Sequence, residues 1–344
     1  MRNNGADRPS ISILIAAHNE AADIEECLRS VLACSGPDEF EVIVVDDAST
    51  DDTAAIVQRV ADSDARVTLY SLARGGKGRA LNYAVRHAHG ATCLSTDADC
   101  RVPSTWVSGM ASELERLDVV FGTTRFSGNA QSDGGVWQNI LESKRRVKWG
   151  PGAPEVFTPV GQSLGFKRAV WEDIGGFAET TSEDADFAER AIRHGWLVSN
   201  STEDHARILT RGPDTYHGFL RQSLRWRNWK ETRDLLKGSW PRRERVLPLL
   251  HGTGVSLMFL LWTVWCIMTG NWTGLGLGIL AVVGADSVPY GIPLMHFAAR
   301  PDTRMWPLYF LGWVICTLLV RLCEIPYLVL RLVRGEKPVW ERAQ

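Results

Sequence analysis

The first hundred residues alternate between apolar segments and segments with helical spacing, and this alternation constrains the fold more than any other feature. Short continuous apolar runs are typical of buried parallel strands. The sequence predicts strands within residues 11–20, 40–50, 67–72 and 91–99. Helices are predicted between them, at residues 21–34, 52–61 and 77–88. Strands that alternate with helices form a parallel sheet, so the predicted fold class is α/β.

Polar residues follow three of the predicted strands. They are Asn19 and Glu20, Asp46 and Asp47, and Asp97 and Asp99. Aspartate is also common in turns and helix caps, so one acidic strand end would mean little. Three consecutive ends, however, meet at one edge of a parallel sheet, which is where such sheets bind ligands. The sequence therefore predicts a binding site at that edge.

The segment "TDAD", residues 96–99, places two carboxylates two residues apart directly after a strand. Such a DxD arrangement can hold Mg²⁺ or Mn²⁺ while the ion also contacts a diphosphate. Lys77, in a turn flanked by glycines, could add positive charge near a nucleotide. Together with the acidic strand ends, the segment indicates a site for a nucleoside diphosphate.

Composition excludes some classes of protein. The net charge of −2 gives no reason to expect nucleic acid as a partner. The seven cysteines show no CxxC spacing, which argues against a zinc site or a disulfide framework and favours a reducing compartment. The first ten residues are polar and resemble no signal peptide, so we expect the first domain on the cytoplasmic side.

The region from residue 246 to 333 is strongly apolar and contains three long stretches, at 246–270, 273–295 and 305–330. About 20 apolar residues suffice to cross a bilayer as a helix, so two or three membrane segments are predicted. Basic residues are favoured in cytoplasmic loops. Two spans would place the loop with Arg300 and Arg304 inside, whereas a third would place the basic carboxyl-terminal tail outside, so the number of spans stays open. The expected localisation is the inner membrane, with several passes.

The ordered set of motifs resembles the membrane-bound, processive family 2 glycosyltransferases, which include cellulose, chitin, hyaluronan and poly-N-acetylglucosamine synthases. It consists of "AAHNE", "VVDDASTDDT", "GGKGRALN", "TDAD", "GGF", "SEDADFAERAIRHGW" and "QSLRW", within about residues 11–240. The resemblance implies a GT-A-type, Rossmann-like domain at 1–215 and an amphipathic interfacial segment at 216–245. The membrane region at 246–333 and a tail at 334–344 would follow.

The resemblance also implies a role for each matching residue. Asp184 would be the catalytic base, although the residue taken alone would more readily be interpreted as a helix N-cap. Asp99 would hold Mg²⁺ or Mn²⁺. The nucleotide sugar would be bound by Ala16, Glu20, Asp46, Asp47, Lys77 and Asp97. The acceptor and the diphosphate would be contacted by Glu183 and by the QxxRW residues Gln222, Arg225 and Trp226.

The implied reaction is an inverting transfer from a UDP-sugar to a growing glycan at the membrane, with N-acetylglucosamine favoured and glucose next. The apolar region is shorter than in the larger synthases, so a homo-oligomer or an export partner could complete a channel. One alternative is transfer of a single sugar to a membrane lipid, as in ceramide glucosyltransferase-like enzymes. Another is a non-catalytic scaffold subunit, although its signature, the loss of the acids, is absent.

Overall fold

The computed structural model describes residues 9–35, 40–127, 161–179, 183–201, 203–211 and 255–287. The chain divides into two compact units, and the first comprises Met1–Ser127 and Lys148–Arg211. The predicted domain boundary at residue 215 lies outside the described residues and stays a prediction.

In the part of the first unit that the structure describes, the strands form two sheets. The strands are β1 (Ile11–Ala17), β2 (Phe40–Asp47), β3 (Val67–Leu72), β4 (Thr92–Asp97), β5 (Cys100–Arg101), β6 (Val119–Phe121), β7 (Thr123–Ser127), β8 (Ser163–Lys167), β9 (Val198–Asn200) and β10 (Arg207–Arg211). The larger sheet has the order β3-β2-β1-β4-β8-β6-β9, and the smaller has the order β5-β10-β7.

The helices pack around the larger sheet or follow it in the chain. The described helices are α1 (Ile24–Leu32), α2 (Thr53–Ser63), α3 (Lys77–His87), α4 (Trp106–Leu114), α5 (Arg168–Ile174), α6 (Glu183–Arg193), α7 (Val255–Thr269) and α8 (Trp272–Ser287), with a 3₁₀ turn at Asp204–Ala206. The three helices predicted before residue 90 are thus observed, with ends that differ by a few residues.

The central strands are buried on both faces. Every residue of β1 is buried. Ile13 and Ile15 belong to a hydrophobic cluster that also contains the apolar faces of α1 and α4. Leu14 is buried as completely, and alternate side chains of a strand point to opposite faces. Helix α3 contacts β1 and β2. Such two-sided burial explains why these strands are continuously apolar rather than alternating.

The sheet is parallel from β3 to β4, as the sequence predicts, and then changes direction. Strand β8 pairs antiparallel with β4 and also antiparallel with β6. The segment 119–127 is broken at Gly122 into two strands, β6 and β7, which belong to different sheets. A Cβ at Gly122 would lie 2.1 Å from the Ala206 carbonyl oxygen, so the break depends on a close backbone approach.

In the second unit, the described residues form two short helices, α7 and α8, that contact each other. Trp262 donates from Nε1 to the Gly274 carbonyl oxygen at 3.0 Å. A Cβ at Gly278 would lie 2.7 Å from the Trp262 ring, so glycine leaves room for that ring. In 255–287, where these helices lie, the structure contains no helix with the length and apolar character needed to cross a membrane. The third predicted segment, 305–330, lies outside the described residues.

A hydrogen-bonded cluster ties the amino-terminal edge of the larger sheet together. The Glu41 carboxylate accepts from the Ser12 hydroxyl at 2.7 Å and from the His89 backbone N–H at 2.6 Å. Its other oxygen lies 3.0 Å from His89 Nδ1. Burial alone would raise the pKa of Glu41, but these hydrogen bonds outweigh it and hold the pKa below its usual value.

This cluster predicts how stability depends on pH. A carboxyl with a lowered folded-state pKa stabilises the fold above its unfolded pKa, and the contribution is lost as pH falls through the folded value. We expect Glu41→Gln to lower the free energy of unfolding by about 1 kcal/mol at pH 7. The difference from wild type should shrink steadily below about pH 4.3, as measured by urea unfolding. The exposed Glu25→Gln is the matched control, and a pH-independent difference for Glu41→Gln would contradict the prediction.

Candidate active site

The carboxyl ends of the central strands bring the predicted acidic residues to one edge of the sheet. Asp46 pairs in register with Ala17, and Asp97 with Ala16. Strand β8 runs the other way and begins at this edge, since Ser163 pairs with Thr96. The convergence predicted from the sequence is therefore present, and the start of β8 joins it.

The turns after β1 and β2 are bonded to each other. The Asn19 side chain accepts from the Thr50 N–H at 2.8 Å, and the Asn19 N–H donates to the Ser49 hydroxyl at 3.0 Å. Asn19 and Ala48 have φ angles of 56° and 58°, a left-handed conformation that is unusual for residues other than glycine. Strain of this kind persists only where the surrounding bonds hold the turn in place. These two turns thus form one rigid unit that borders the candidate site at the carboxyl ends of β1 and β2.

Asp47 holds the turn that leads into α3. Its carboxylate is fully buried and accepts from the Gly75 N–H at 2.7 Å and the Gly76 N–H at 2.8 Å. Arg74 Nη1 lies 3.0 Å from the same carboxylate. Gly76 has a φ of 88°, which favours glycine. The structure therefore gives both oxygens of Asp47 partners within the protein.

Lys77 lies at the centre of the site, between two carboxylates. Its ammonium is 2.6 Å from Asp97 Oδ1 and 3.0 Å from Glu183 Oε1, and only 7% of the side chain is exposed. Burial alone would lower the pKa of Lys77, but the carboxylates of Asp97, Glu183 and Asp184 together raise it well above its usual value. Burial raises the pKa of Glu183 in spite of Lys77, and Asp184 adds to that rise. Lys77 is therefore a permanent positive charge among these acids.

The DxD residues and the next side chain form the candidate metal centre. One possible ligand atom each from Asp97, Asp99 and Cys100 lies within 4.8 Å of the others. The Cys100 thiol is buried and lies 3.3 Å from Asp99 Oδ1, to which it donates. Burial and the neighbouring carboxylates hold the pKa of this thiol well above its usual value. The two carboxylates are therefore the residues that fit a hard divalent cation.

Asp184 lies in the first turn of α6, which begins at Glu183, so the alternative of an N-cap does not describe it. Its Oδ2 accepts from the Gly161 N–H at 2.9 Å, and its Oδ1 from the Ala185 N–H at 2.8 Å. A Cβ at residue 161 would lie 3.0 Å from the Asp184 Cβ, so glycine permits the close approach. Because Gly161 precedes β8 at the same edge, it places the Asp184 carboxylate at the site.

The remaining predicted residues fall into two groups. Ala16, Glu20 and Asp46 are buried at the strand ends, and both Asp46 oxygens lie 3.3 Å from the Ser49 N–H. The predicted nucleotide contacts of these residues stay predictions. The QxxRW residues lie outside the described residues, so their roles also stay predictions. Gly161 and Arg74 were not predicted from the sequence, because nothing in their local pattern marks a long-range partner.

Two family profiles match the chain. "Glycosyl transferase family 2" matches residues 12–175, and "Glycosyl transferase family group 2" matches residues 94–322. The second match covers more than half of the chain. Together they include the DxD segment, the glycine turn before α3 and Asp184.

Curated relatives agree with the profiles. A "Poly-beta-1,6-N-acetyl-D-glucosamine synthase" of Staphylococcus epidermidis is 26% identical over 238 residues, which are 67% of this chain and 57% of the relative. "Probable glycosyltransferase YdaM" of Bacillus subtilis is 27% identical over 65% of this chain and 56% of its own length. The chain thus spans little more than half the length of these relatives.

A solved structure shows the fold. A mannosyltransferase from Pyrobaculum calidifontis, in complex with GDP-Man and Mn²⁺, matches with a TM-score of 0.56 and 22% identity. The match covers 92% of this chain and 88% of the other. The predicted GT-A-like α/β fold with a mostly parallel sheet is therefore confirmed.

Proposed function

The chain is a glycosyltransferase and belongs to glycosyl transferase family group 2, and from this premise we propose that it performs an inverting, metal-dependent transfer. The donor is a UDP-sugar, with N-acetylglucosamine favoured and glucose next. The acceptor is the hydroxyl of a growing glycan at the inner membrane. The observation that carries the proposal is the cluster of Asp97, Lys77, Glu183 and Asp184, in which the DxD segment and the base helix share one lysine.

In the proposed reaction, Asp184 acts on the acceptor, whereas Asp97 acts on the donor. The acceptor oxygen attacks the anomeric carbon of the sugar, and the bond from that carbon to the diphosphate breaks. Asp184 accepts the proton of the acceptor hydroxyl, which is general-base catalysis. The electron pair of the broken bond leaves with UDP. A side chain held by the Gly161 N–H is oriented before the substrate arrives, which favours the reactive geometry.

Asp97 and Asp99 would hold the metal ion. Carboxylate oxygens are the ligands that Mg²⁺ and Mn²⁺ prefer, and one from each residue lies within 4.8 Å of the other. When bound, Mg²⁺ or Mn²⁺ supplies positive charge to the diphosphate as it leaves. Gln222, Arg225 and Trp226 are proposed to lie near the acceptor and the leaving group.

N-acetylglucosamine is favoured because the Staphylococcus epidermidis relative is named as a synthase of its polymer. The membrane location is supported by the apolar region and by the surface of α7 and α8. The following side chains of that helix pair are large, apolar and exposed: Leu261, Trp262, Val264, Trp265, Ile267, Met268, Trp272 and Leu277. An exposed apolar surface of this kind favours contact with lipid or with another protein.

The experiment that tests the proposal is a screen of UDP-sugars with Mn²⁺, in which UDP release and product mass are both measured. We expect turnover with UDP-N-acetylglucosamine, loss of turnover with EDTA, and a ladder of glycan products. A single sugar on extracted lipid would show the lipid-transfer reaction instead. Absence of turnover with every UDP-sugar would reject the proposed function.

A further inference from the structure

Helix α3 touches both elements that carry the proposed chemistry. Its first residue, Lys77, contacts Asp97 at the end of β4 and Glu183 at the start of α6. Asp97 belongs to the DxD segment, and Glu183 directly precedes the proposed base, Asp184. One side chain therefore connects the strand that would bind the donor to the helix that would activate the acceptor.

The rest of α3 reinforces this connection along the segment before α6. Asn82 accepts from the Phe177 N–H and donates to the Phe177 carbonyl oxygen, both at 2.8 Å. A Cβ at Gly78 would lie 2.4 Å from the Ala178 carbonyl oxygen, so the backbones meet closely there. Helix α3 thus contacts Phe177 through Asn82, Ala178 at Gly78 and Glu183 through Lys77. Of these three contacts, the contact of Lys77 joins two charged groups.

The contacts of Lys77 argue for a role within the protein rather than on the substrate. A lysine ammonium has three N–H donors, and two protein carboxylates lie at 2.6 and 3.0 Å from this one. The side chains of Lys77 and Glu183 are both buried, at 7% and 8% exposure. Removing one partner from a buried ion pair leaves the other charge uncompensated, so without Lys77 we expect Glu183, and the helix that it begins, to change position.

We propose that Lys77 is a positioning residue, which fixes the base helix α6 relative to the DxD segment by bridging Glu183 and Asp97. Glu183 then serves as the partner of Lys77 rather than as a substrate contact. The inference rests on the proposed function, because it assigns Asp184 and Asp97 to the two halves of one transfer reaction.

The test combines Lys77→Met, Glu183→Gln and the double variant in the full chain, with UDP-N-acetylglucosamine and Mn²⁺. A misplaced base lowers kcat, and we expect Lys77→Met to lower it by about 100-fold. The donor KM and the Kd of UDP with Mn²⁺ should change by less than about threefold, because ground-state binding is not the property lost. Glu183→Gln should lower kcat less, and the double variant should be no slower than Lys77→Met, since both changes break one bridge.

Lys167→Met is the matched control, because Lys167 lies 2.8 Å from Asp118 in a more exposed ion pair away from the cluster. We expect its kcat to equal that of wild type. A rise of 10-fold or more in the Kd of UDP for Lys77→Met, with kcat kept at saturation, would show a lysine that binds the diphosphate and would overturn the proposal.

A second measurement separates this proposal from the proposed function. Urea midpoints of the same variants give a double-variant cycle that does not depend on activity. A midpoint of the double variant above the value expected from the two single variants supports the bridge, whereas additive shifts overturn it. Absence of turnover in the wild type would reject the transfer reaction, and the urea cycle would still decide whether Lys77 and Glu183 act as a pair.

Discussion

Asp184→Asn is expected to lower the rate of sugar transfer by about 10³-fold or more while UDP binding stays unchanged. The amide cannot accept the acceptor's proton, but its oxygen can still accept from the Gly161 N–H. Only the hydrogen bond from the neighbouring Ala185 N–H would be lost, so the long-range contact that places residue 184 is kept. The rate is measured as UDP release at saturating donor, and binding by calorimetry with UDP and Mn²⁺.

Glu189→Gln provides the control on the same helix. Glu189 is exposed and pairs with Arg193, and the substitution makes the same change from carboxylate to amide. Its transfer rate should match wild type. Turnover of Asp184→Asn close to the wild-type rate would reject Asp184 as the base, and weak UDP binding by that variant would point to a disturbed fold.

Asp99→Ala is expected to weaken UDP binding in the presence of Mn²⁺ on the order of 100-fold, because loss of a ligand should cost at least as much as loss of its outer partners. The mutated position lies beside Cys100, whose thiol would lose its acceptor. The affinity for UDP is compared with Mn²⁺ and with EDTA, since only the metal-dependent part should change.

With EDTA present, Asp99→Ala and wild type should bind UDP equally. Asp62→Ala, which removes an exposed carboxylate from α2, should retain the full effect of Mn²⁺. If Mn²⁺ strengthens UDP binding to Asp99→Ala as much as to wild type, Asp99 is not a ligand.

Local patterns were sufficient to predict the parallel half of the larger sheet. Continuous apolar runs mark β1 and β2, because these strands are buried on both faces. The antiparallel β8 could not be placed in this way. Its residues Ser163–Lys167 are as buried as a parallel strand, but their position between β4 and β6 depends on pairings with distant segments.

The same distinction applies to the site. The spacing of Asp97 and Asp99 and their position after a strand are local, so the sequence alone predicted a metal centre. Which acids Lys77 would pair with depends on the positions that the fold gives to Asp97 and Glu183, which are distant in sequence, and no local pattern contains that information. Gly161 likewise gained a role only through its contact with Asp184.

The turn before α3 has a consequence for protein engineering and evolution. Because the Asp47 carboxylate accepts from Arg74, Gly75 and Gly76, positions 47 and 74–76 form an epistatic unit. Asparagine at 47 would point its NH₂ group at N–H groups of residues 74–76, which need an acceptor. A residue other than glycine at 76 would be strained by the φ of 88°. A loop grafted here from a homologue should therefore bring its own residue 47 with it, and tolerated changes should arise in pairs.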